Sequence, residues 1–520
     1  MDAIGLSIFA SRIAAACDEM GAVLRRAALS PNIKDRLDFS CAIFDARGDL
    51  CAQAAHIPVH LGSMAFAMAD IVAQVRWRDG DMLALNDPYR GGTHLPDVTL
   101  VAPVYVEGEW VAFVACRAHH ADMGTSTPGS MPLSSSLYEE GVLIAPTLVV
   151  RNGRIEEIAL QTITGAMGNP DHSRADFAAQ ISANRAGLMR VGEVVKDMGI
   201  VAFRQALDAL NDYGERLARS ALTRLQAGTY AFTDYLDDDG LGTEDIPIRV
   251  ALHVDGSDVS VDFTGTSAQV RGNLNCPLSV AAAAVFYVFR CLMPDNTPAC
   301  AGIFRSIRIV APEGCLLNAK HPAAVAAGNV ETSTRIVDVV MGALAPALPG
   351  EIPAASHGSM NNIAMGARGA EGNWDYYETL GGGMGAGPRG GGLSGVQTHM
   401  TNTLNTPIES LEMHYPLRVS RYCLRRHSGG AGQRRGGDGI VREFTFLRET
   451  IVTLLTERRR RAPWGLEGGE AGRCGENWLE AQPLPGKVNL VVRPGQTLRI
   501  LTAGGGGFGA PLEKSEPIPQ

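Results

Sequence analysis

The most constraining feature of this sequence is residues 86–120, which combine turn residues, β-branched residues and potential ligand side chains. The segment begins NDPYRGGTHLPD and continues into VTLVAPVYV, which is rich in β-branched residues. Because Pro96 cannot lie inside a helix and favours an extended conformation at Leu95, His94 and Asp97 are not paired across one helical turn. We therefore predict a loop that leads into a β-strand.

The same segment predicts a β-hairpin. Residues 107–109 are typical of a tight loop, and residues 110–119 form a second strand-like run. If the residues on either side of this loop pair, counting along both strands places Asp97 directly opposite His119 on one face. His94 lies just upstream of that strand end. Two imidazoles and a carboxylate together are suitable ligands for a divalent metal.

Two other interpretations of this cluster remain open. A shift of one residue in the register would exchange the two faces and select His120 in place of His119. The histidines could also be hydrogen-bonded residues of a polar loop, which is the usual situation for an isolated histidine. Because three histidines and two aspartates lie so close together, we favour the metal site.

Several longer motifs give the chain a family resemblance. They are NDPYRGGTHLPDVTLVAPV with RAHHADMG, NIKDRLDFSCAIFD, FTGTSAQVRGNLNCPLSV, AAGNVETSTRIVDVV, YYETLGGGMGAGP and THMTNTLNTPIE. Together they extend over nearly the whole chain. The sequence resembles the hydantoinase B/oxoprolinase family, which includes large subunits of ketone carboxylases and ATP-dependent lactamases.

The resemblance implies a fourth metal ligand and a partner protein. Family members take a ligating aspartate from the NIKDRLDFSCAIFD motif, where Asp38 matches best and Asp35 is the alternative. The implied ligand set is Asp38, His94, Asp97 and His119. Zinc is favoured over manganese because half of this set is imidazole. The resemblance also implies that a separate hydantoinase A-type subunit uses ATP, so we expect a hetero-oligomer.

Three further side chains near the cluster are candidates for acid–base catalysis: His120, Asp122 and Glu139. They flank a loop rich in Gly, Ser, Thr and Pro, residues 124–136, and loops of this length are often functional. Taken singly, each carboxylate is more typical of a solvated or capping residue.

A second histidine pair, His56 and His60, precedes a helix expected from Met64 to Val75. Pro58 lies between the two histidines, so they cannot form a pair on one helix. We interpret them first as structural loop residues and second as part of a substrate pocket.

The remaining patterns predict a multidomain α+β protein. Residues 171–226 have the spacing of two long amphipathic helices, and the following chain is β-rich with a central helix near 333–344. We expect an N-terminal α/β metal-site domain at 1–228 and a β-rich region at 229–520. Most glycine clusters of the C-terminal third, including Gly504 to Gly507, are interpreted as turns between strands.

Composition excludes several classes of protein. A net charge of −9 argues against nucleic-acid binding. The sequence shows no signal peptide or long apolar span and no G-x-x-x-x-G-K-[ST] phosphate loop. We expect a cytoplasmic protein that does not bind a membrane.

The resemblance implies a metal-dependent catalytic subunit of an ATP-dependent cyclic-amide hydrolase. Its small-molecule substrate would be a hydantoin- or 5-oxoproline-like lactam that the partner first phosphorylates. A ketone carboxylase is the alternative enzyme. A non-catalytic assembly subunit with a structural metal is the alternative of another class, although structural zinc sites are commonly rich in cysteine, and none occurs among the proposed ligands.

Overall fold

The computed structural model describes residues 1–54, 57–369 and 372–511. In these ranges the chain forms four β-sheets and nine α-helices, which confirms the predicted multidomain α+β class. No helix in the described ranges is long and apolar enough to cross a membrane. The helices are α1 (Ala3–Ala27), α2 (Pro31–Lys34), α3 (His60–Gln74), α4 (Glu157–Thr164), α5 (Pro170–Met198), α6 (Ile200–Leu222), α7 (Leu278–Cys291), α8 (Ser333–Leu344) and α9 (Ile408–His414).

The first sheet carries the predicted hairpin at its centre. Helices α1 and α5 cover one face and α3 covers the other, so its central strands are buried on both sides along almost their whole length and are mostly apolar. The strand order is β2-β1-β5-β4-β3-β6-β7. The strands are β1 (Phe39–Asp45), β2 (Leu50–Gln53), β3 (Met82–Leu85), β4 (Asp97–Val106), β5 (Glu109–His119), β6 (Thr147–Arg151) and β7 (Arg154–Ile155).

The hairpin formed by β4 and β5 confirms that Asp97 lies opposite His119, but its turn differs from the prediction. A two-residue turn, Glu107-Gly108, replaces the expected three-residue loop, and Val106 pairs with Glu109. Both turn residues have positive φ, +53° and +82°, as the favoured hairpin turns require. A bulge further along adds one residue to β5, and this extra residue restores the predicted pairing at the far end.

The middle of the chain forms a second sheet against two helices. Helix α8 packs on this sheet and α7 packs on α8, within the largest apolar core. Helix α8 confirms the helix predicted at 333–344. The strand order is β11-β10-β9-β8, and the division of domains at residue 228 stays a prediction. The strands are β8 (Gly228–Asp238), β9 (Glu244–Asp255), β10 (Asp258–Asp262) and β11 (Ile307–Val310).

The C-terminal part contains two sheets that share an apolar core. Their orders are β13-β12-β16-β19 and β14-β15-β20-β17-β18. The strands are β12 (Asn362–Ala367), β13 (Trp374–Glu378), β14 (Leu417–Arg425), β15 (Gly439–Phe446), β16 (Thr450–Leu455), β17 (Glu476–Leu479), β18 (Gln482–Leu484), β19 (Lys487–Val492) and β20 (Thr497–Leu501).

The glycine clusters beside these sheets are not mainly turns, so that prediction is wrong for them. A Cβ added to Gly505 would lie 2.0 Å from the carbonyl oxygen of Met384, and one added to Gly383 would lie 2.0 Å from that of Gly437. The clusters therefore pack backbone against backbone, at distances that no side chain permits.

Candidate metal centre

Three of the four predicted ligands lie together at the end of the central hairpin. Oδ1 of Asp97 is 3.2 Å from Nε2 of His94 and 3.3 Å from Nδ1 of His119. All three side chains are buried, and one potential ligand atom of each lies within 4.8 Å of the other two. Two ligand atoms bound to a tetrahedral ion at 2.0–2.1 Å are roughly 3.3 Å apart, so this spacing fits a divalent metal.

The sheet determines where these side chains lie. Asp97 is the first residue of β4 and His119 is the last residue of β5, directly across the ladder. The N–H of His119 donates to the carbonyl of Asp38 at 3.0 Å, and the N–H of His120 donates to the carbonyl of Pro96 at 2.9 Å. Backbone hydrogen bonds from both sides therefore fix this strand end.

The second carboxylate oxygen of Asp97 is held by a separate group of residues. The hydroxyl of Thr93 donates to Oδ2 at 2.5 Å, and Nε2 of His60 lies 3.2 Å from it. The side-chain amide of Asn329 donates to the same oxygen at 3.4 Å. Such contacts orient a ligating carboxylate, and here they leave Oδ1 facing the two histidines.

The hydrogen bonds of the two histidines expose one ring nitrogen of each toward Asp97. Nδ1 of His94 is 3.1 Å from the carbonyl of Ala326, which only accepts, so in the neutral ring Nε2 carries the lone pair. Nε2 of His119 lies 3.2 Å from Oγ of Ser130, which leaves Nδ1 toward Asp97. The His119 ring also stacks on Tyr377 at a centroid distance of 4.7 Å, which fixes its orientation.

Burial and charge oppose each other at these side chains. Burial disfavours the carboxylate, yet His94 and His60 hold the pKa of Asp97 well below its ordinary value. Burial lowers the pKa of His119. At His94 burial also acts to lower the pKa, but the charge of Asp97 and the hydrogen bonds to Asp97 and Ala326 together raise it. The cluster therefore stabilises positive charge next to Asp97, as a divalent cation requires.

Asp97 and His119 line a small cavity of about 20 Å³, and Asp38 lines it too. Asp38 is the fourth predicted ligand. Among the described residues, the group whose ligand atoms lie within 4.8 Å of one another contains His94, Asp97 and His119 but not Asp38. Its Oδ2 lies 3.8 Å from the guanidinium of Arg36. Asp35, the alternative, lines a different pocket at the protein surface.

The three side chains predicted for acid–base catalysis are engaged elsewhere. Nε2 of His120 lies 3.0 Å from Oε1 of Gln180 on α5. Asp122 accepts hydrogen bonds of 2.5–3.0 Å from three backbone N–H groups. Glu139 is exposed and accepts from the backbone and hydroxyl of Ser135. None of the three lines the cavity.

Sequence reasoning missed the positions of His60 and Asn329. The prediction that His60 is a loop residue is wrong, because it is the first residue of α3; His56 lies outside the described residues. Pro58 excludes a helix that contains both histidines but not one that begins after it. Asn329 lies in a π-helical turn, Gly328–Thr332, that precedes α8, and its amide donates to Nε2 of His94 at 3.1 Å.

Glu140, the neighbour of Glu139, is the buried carboxyl group on this side of the site. Oε1 accepts the N–H groups of Val325 and Ala326 at 2.8 and 2.9 Å. Burial raises its pKa to about 7. Glu140 therefore anchors the segment whose Ala326 carbonyl orients His94.

Comparisons with known proteins agree with this architecture. The chain is 39% identical to 5-oxoprolinase 1 of Arabidopsis thaliana over 98% of its length, although it spans only 42% of that protein. It is 33% identical to a protein of Pseudomonas sp. strain NS671 that is named as one subunit of a putative D-/L-hydantoinase, covering 95% of this chain and 88% of the relative.

Two solved structures have the same fold. The ATP-dependent caprolactamase of Pseudomonas jessenii matches with a TM-score of 0.91 and 25% identity, over 99% of this chain and 92% of that one. Acetone carboxylase in its nucleotide-free form matches with a TM-score of 0.89 over 98% of this chain and 76% of that one, but at 18% identity it shows the fold alone. The Hydantoinase B/oxoprolinase family matches residues 2–511, and this chain belongs to that family.

Proposed function

We propose that this chain is the metal-binding catalytic subunit of an ATP-dependent hydrolase that opens a cyclic amide of the hydantoin or 5-oxoproline type. The buried cluster of His94, Asp97 and His119 is the observation that carries this proposal. The relatives named as a 5-oxoprolinase and as part of a hydantoinase support the substrate class. An amide carbonyl is a poor electrophile, so phosphorylation by a hydantoinase A-type partner would precede the attack of water.

The residues have distinct roles in this proposal. His94, Asp97 and His119 hold a divalent ion, preferably zinc, and Asp38 completes the set. When bound, such an ion supplies Lewis acidity and lowers the pKa of a coordinated water from about 15.7 to roughly 7. Thr93 keeps the carboxylate of Asp97 in the orientation that faces the histidines.

A base in addition to the metal ligands is needed, because two carboxylates would partly neutralise the ion. His120, Asp122 and Glu139 were the candidates from the sequence, and each would have to leave its present partners to reach the cavity. His60 already lines the cavity. Its ring nitrogens contact Oγ of Ser40 and Oδ2 of Asp97, and it needs only to exchange the second contact for water, so we assign this role to His60 in preference to them.

The test uses the complex reconstituted with its ATPase partner, a lactam substrate and ¹⁸O-labelled water. Label should enter the new carboxylate of the product, and Asp97→Asn should abolish this without changing folding or ATP cleavage by the partner. Asp245→Asn, a substitution at an exposed ion pair, is the matched control. Product that requires bicarbonate and incorporates its carbon would instead identify a ketone carboxylase.

A further inference from the structure

The cavity beside the candidate metal centre has a second polar wall, which the proposed function leaves unused. Thr379, Thr401 and Thr403 line it. They come from the motifs YYETLGGGMGAGP and THMTNTLNTPIE, which carry the family resemblance but contribute no metal ligand. The apolar lining of the cavity consists of Ile57, Val59, Val330, Met360 and Met400, together with Tyr377.

Arg36 places a positive charge behind this threonine wall. Its guanidinium is fully buried and donates to Oγ1 of Thr379 at 3.2 Å and to Oγ1 of Thr403 at 3.5 Å. It also donates to the carbonyl of Tyr377 at 3.0 Å. Its contact with the carboxylate of Asp38 is long, 3.8 Å. The positive charge of Arg36 is therefore not neutralised by a close ion pair, and the threonine hydroxyls accept charge-assisted hydrogen bonds from it.

The direction of the hydrogen bonds along this wall follows from the donor groups. A guanidinium only donates, so the hydroxyl of Thr379 accepts from Arg36, and it also accepts from Nε2 of Gln397 at 3.3 Å. Both lone pairs are then used, and its hydrogen points to Oγ1 of Thr403, 2.7 Å away. Thr403 accepts from Thr379 and Arg36 and must donate in turn, and Oγ1 of Thr401 lies 3.4 Å away. The series ends with the hydrogen of Thr401 available to the cavity.

We propose that the hydroxyl of Thr401, oriented by Thr403, is a donor subsite for the amide oxygen of the ligand. A hydroxyl that must donate selects an acceptor, here the oxygen of the carbonyl that is attacked. In the lactam already phosphorylated on this oxygen, water adds to the carbon, the π electrons of the C=N bond move onto the ring nitrogen, and that nitrogen takes up the proton that water releases to the base. A donor that holds the phosphorylated oxygen keeps the carbon in position for this step. That the ligand is a lactam rests on the proposed function.

The size of the cavity agrees with this assignment. A volume of about 20 Å³ accommodates one oxygen-sized group but not a ring. Binding a lactam therefore requires the apolar wall to open, and the side chains of Met360 and Met400 belong to the residue type that adapts most readily.

The test is calorimetric titration of the metal-loaded chain with formate, as a small acceptor anion, and with 5-oxoproline. Thr401→Val should weaken the binding of formate by about tenfold or more, because it removes one hydrogen bond to a charged acceptor. It should weaken the binding of 5-oxoproline by about two- to tenfold, because the lactam oxygen is a neutral acceptor. Thr401→Ser should restore it. Thr497→Val is the matched control, since Thr497 pairs with Thr445 at 3.0 Å between β15 and β20, away from the cavity.

Metal content and melting temperature show whether Thr401→Val removes only the donor hydroxyl or also damages the metal site or the fold. Both quantities should be unchanged in this variant. If that variant is unstable, Thr403→Val interrupts the series one step earlier and should weaken binding likewise. Wild-type affinity in these variants, an equal loss in Thr497→Val, or no binding of either ligand to the wild type would overturn the proposal. If the threonine dependence holds while no ¹⁸O enters the product, the subsite stands and the hydrolase function is wrong.

Discussion

At the scale of single residues, the two oxygens of Asp97 face different groups. Oδ1 faces His94 and His119, whereas Oδ2 is held by Thr93 and His60. A carboxylate fixed in this way presents one oxygen to an ion with little loss of conformational freedom. The groups around Oδ2 should therefore affect metal affinity although they do not bind the metal.

Removing a metal ligand should therefore reduce metal content more than removing a residue that only orients Asp97. His94→Ala and His119→Ala should lose the divalent ion, whereas His60→Gln should weaken its binding by about 10–100-fold. Elemental analysis after dialysis against a weak chelator measures both effects. His253→Ala, which removes an exposed imidazole paired with Thr229, should keep the ion. Full metal content in both ligand variants would contradict the site.

The buried carboxyl group of Glu331 should make the stability of the fold depend on pH. Burial, and then the negative charge of Glu457, raise its pKa from 4.5 to about 7. Between these values the unfolded chain ionises while the folded chain keeps its proton, so stability falls as pH rises from about 4.5 to 7 and then levels off. The loss is on the order of 3 kcal/mol.

Glu331→Gln should remove this loss and raise the melting temperature relative to the wild type above pH 7, with little difference near pH 4.5. Its amide oxygen can still accept the N–H of Met360 and the amide of Asn362. Glu313→Gln, at an exposed carboxylate, is the control. A constant difference between wild type and variant from pH 4.5 to 8 would rule out the raised pKa.

At the scale of elements, the turn before α8 depends on one glycine. A Cβ at Gly328 would lie 1.9 Å from the carbonyl oxygen of Asn275, so neither backbone can remain in place. We expect Gly328→Ala to destabilise the fold by about 1–3 kcal/mol and to weaken metal binding, since Asn329 follows directly. Gly192→Ala, in the open interior of α5, should instead stabilise by up to about 1 kcal/mol. Calorimetric melting and metal analysis of both variants test this.

The central hairpin shows what the sequence can predict about an element. The apolar run and the turn residues were enough to place Asp97 opposite His119. The turn itself was predicted one residue too long, and an unpredicted bulge compensated for this error. The amino-acid sequence around a bulge carries no reliable signal for it, because the strand pair accommodates the extra residue by twisting.

The outer part of the site could not be predicted in the same way. His60 and Asn329 reach Asp97 from 37 and 232 positions away in the chain. Only the packing of α3 and α8 against the sheets brings these residues together. The threonine wall likewise depends on how the C-terminal part packs on the first sheet.

At the scale of the whole molecule, buried ion pairs connect the second sheet to the C-terminal part. The guanidinium of Arg458 lies 2.8 Å from Asp234 on β8 and 2.5 Å from Asp338 on α8, and all three are almost fully buried. Arg458 is the first residue of a run of four arginines, residues 458–461. Arg458 is buried and Arg459 is half-buried, whereas Arg460 and Arg461 form exposed ion pairs.

Arg458→Met should therefore destabilise the chain by about 3–5 kcal/mol. It removes the closest cation from two buried carboxylates and leaves them only longer contacts with Arg335, 3.7 Å for Asp234 and 3.9 Å for Asp338. Arg461→Met is the matched control from the same run. Its ion pair with Asp245 is exposed, so the loss should stay below about 1 kcal/mol. Denaturation of both variants measures the difference, and equal losses would show that the buried pairs do not hold the parts together.

The last prediction at this scale is that ATP cleavage requires a second polypeptide. The sequence contains no G-x-x-x-x-G-K-[ST] loop, and the chain spans 42% of the Arabidopsis 5-oxoprolinase 1 but 88% of the Pseudomonas relative that is named as one subunit of an enzyme. We therefore expect the purified chain alone to release no phosphate from ATP in the presence of hydantoin, 5-oxoproline or acetone. Adding an actin-like ATPase chain of the hydantoinase A type should start turnover, and Asp97→Asn should uncouple ATP cleavage from product formation. Steady turnover by the chain alone, retained after repeated purification, would mean that it binds and cleaves ATP itself.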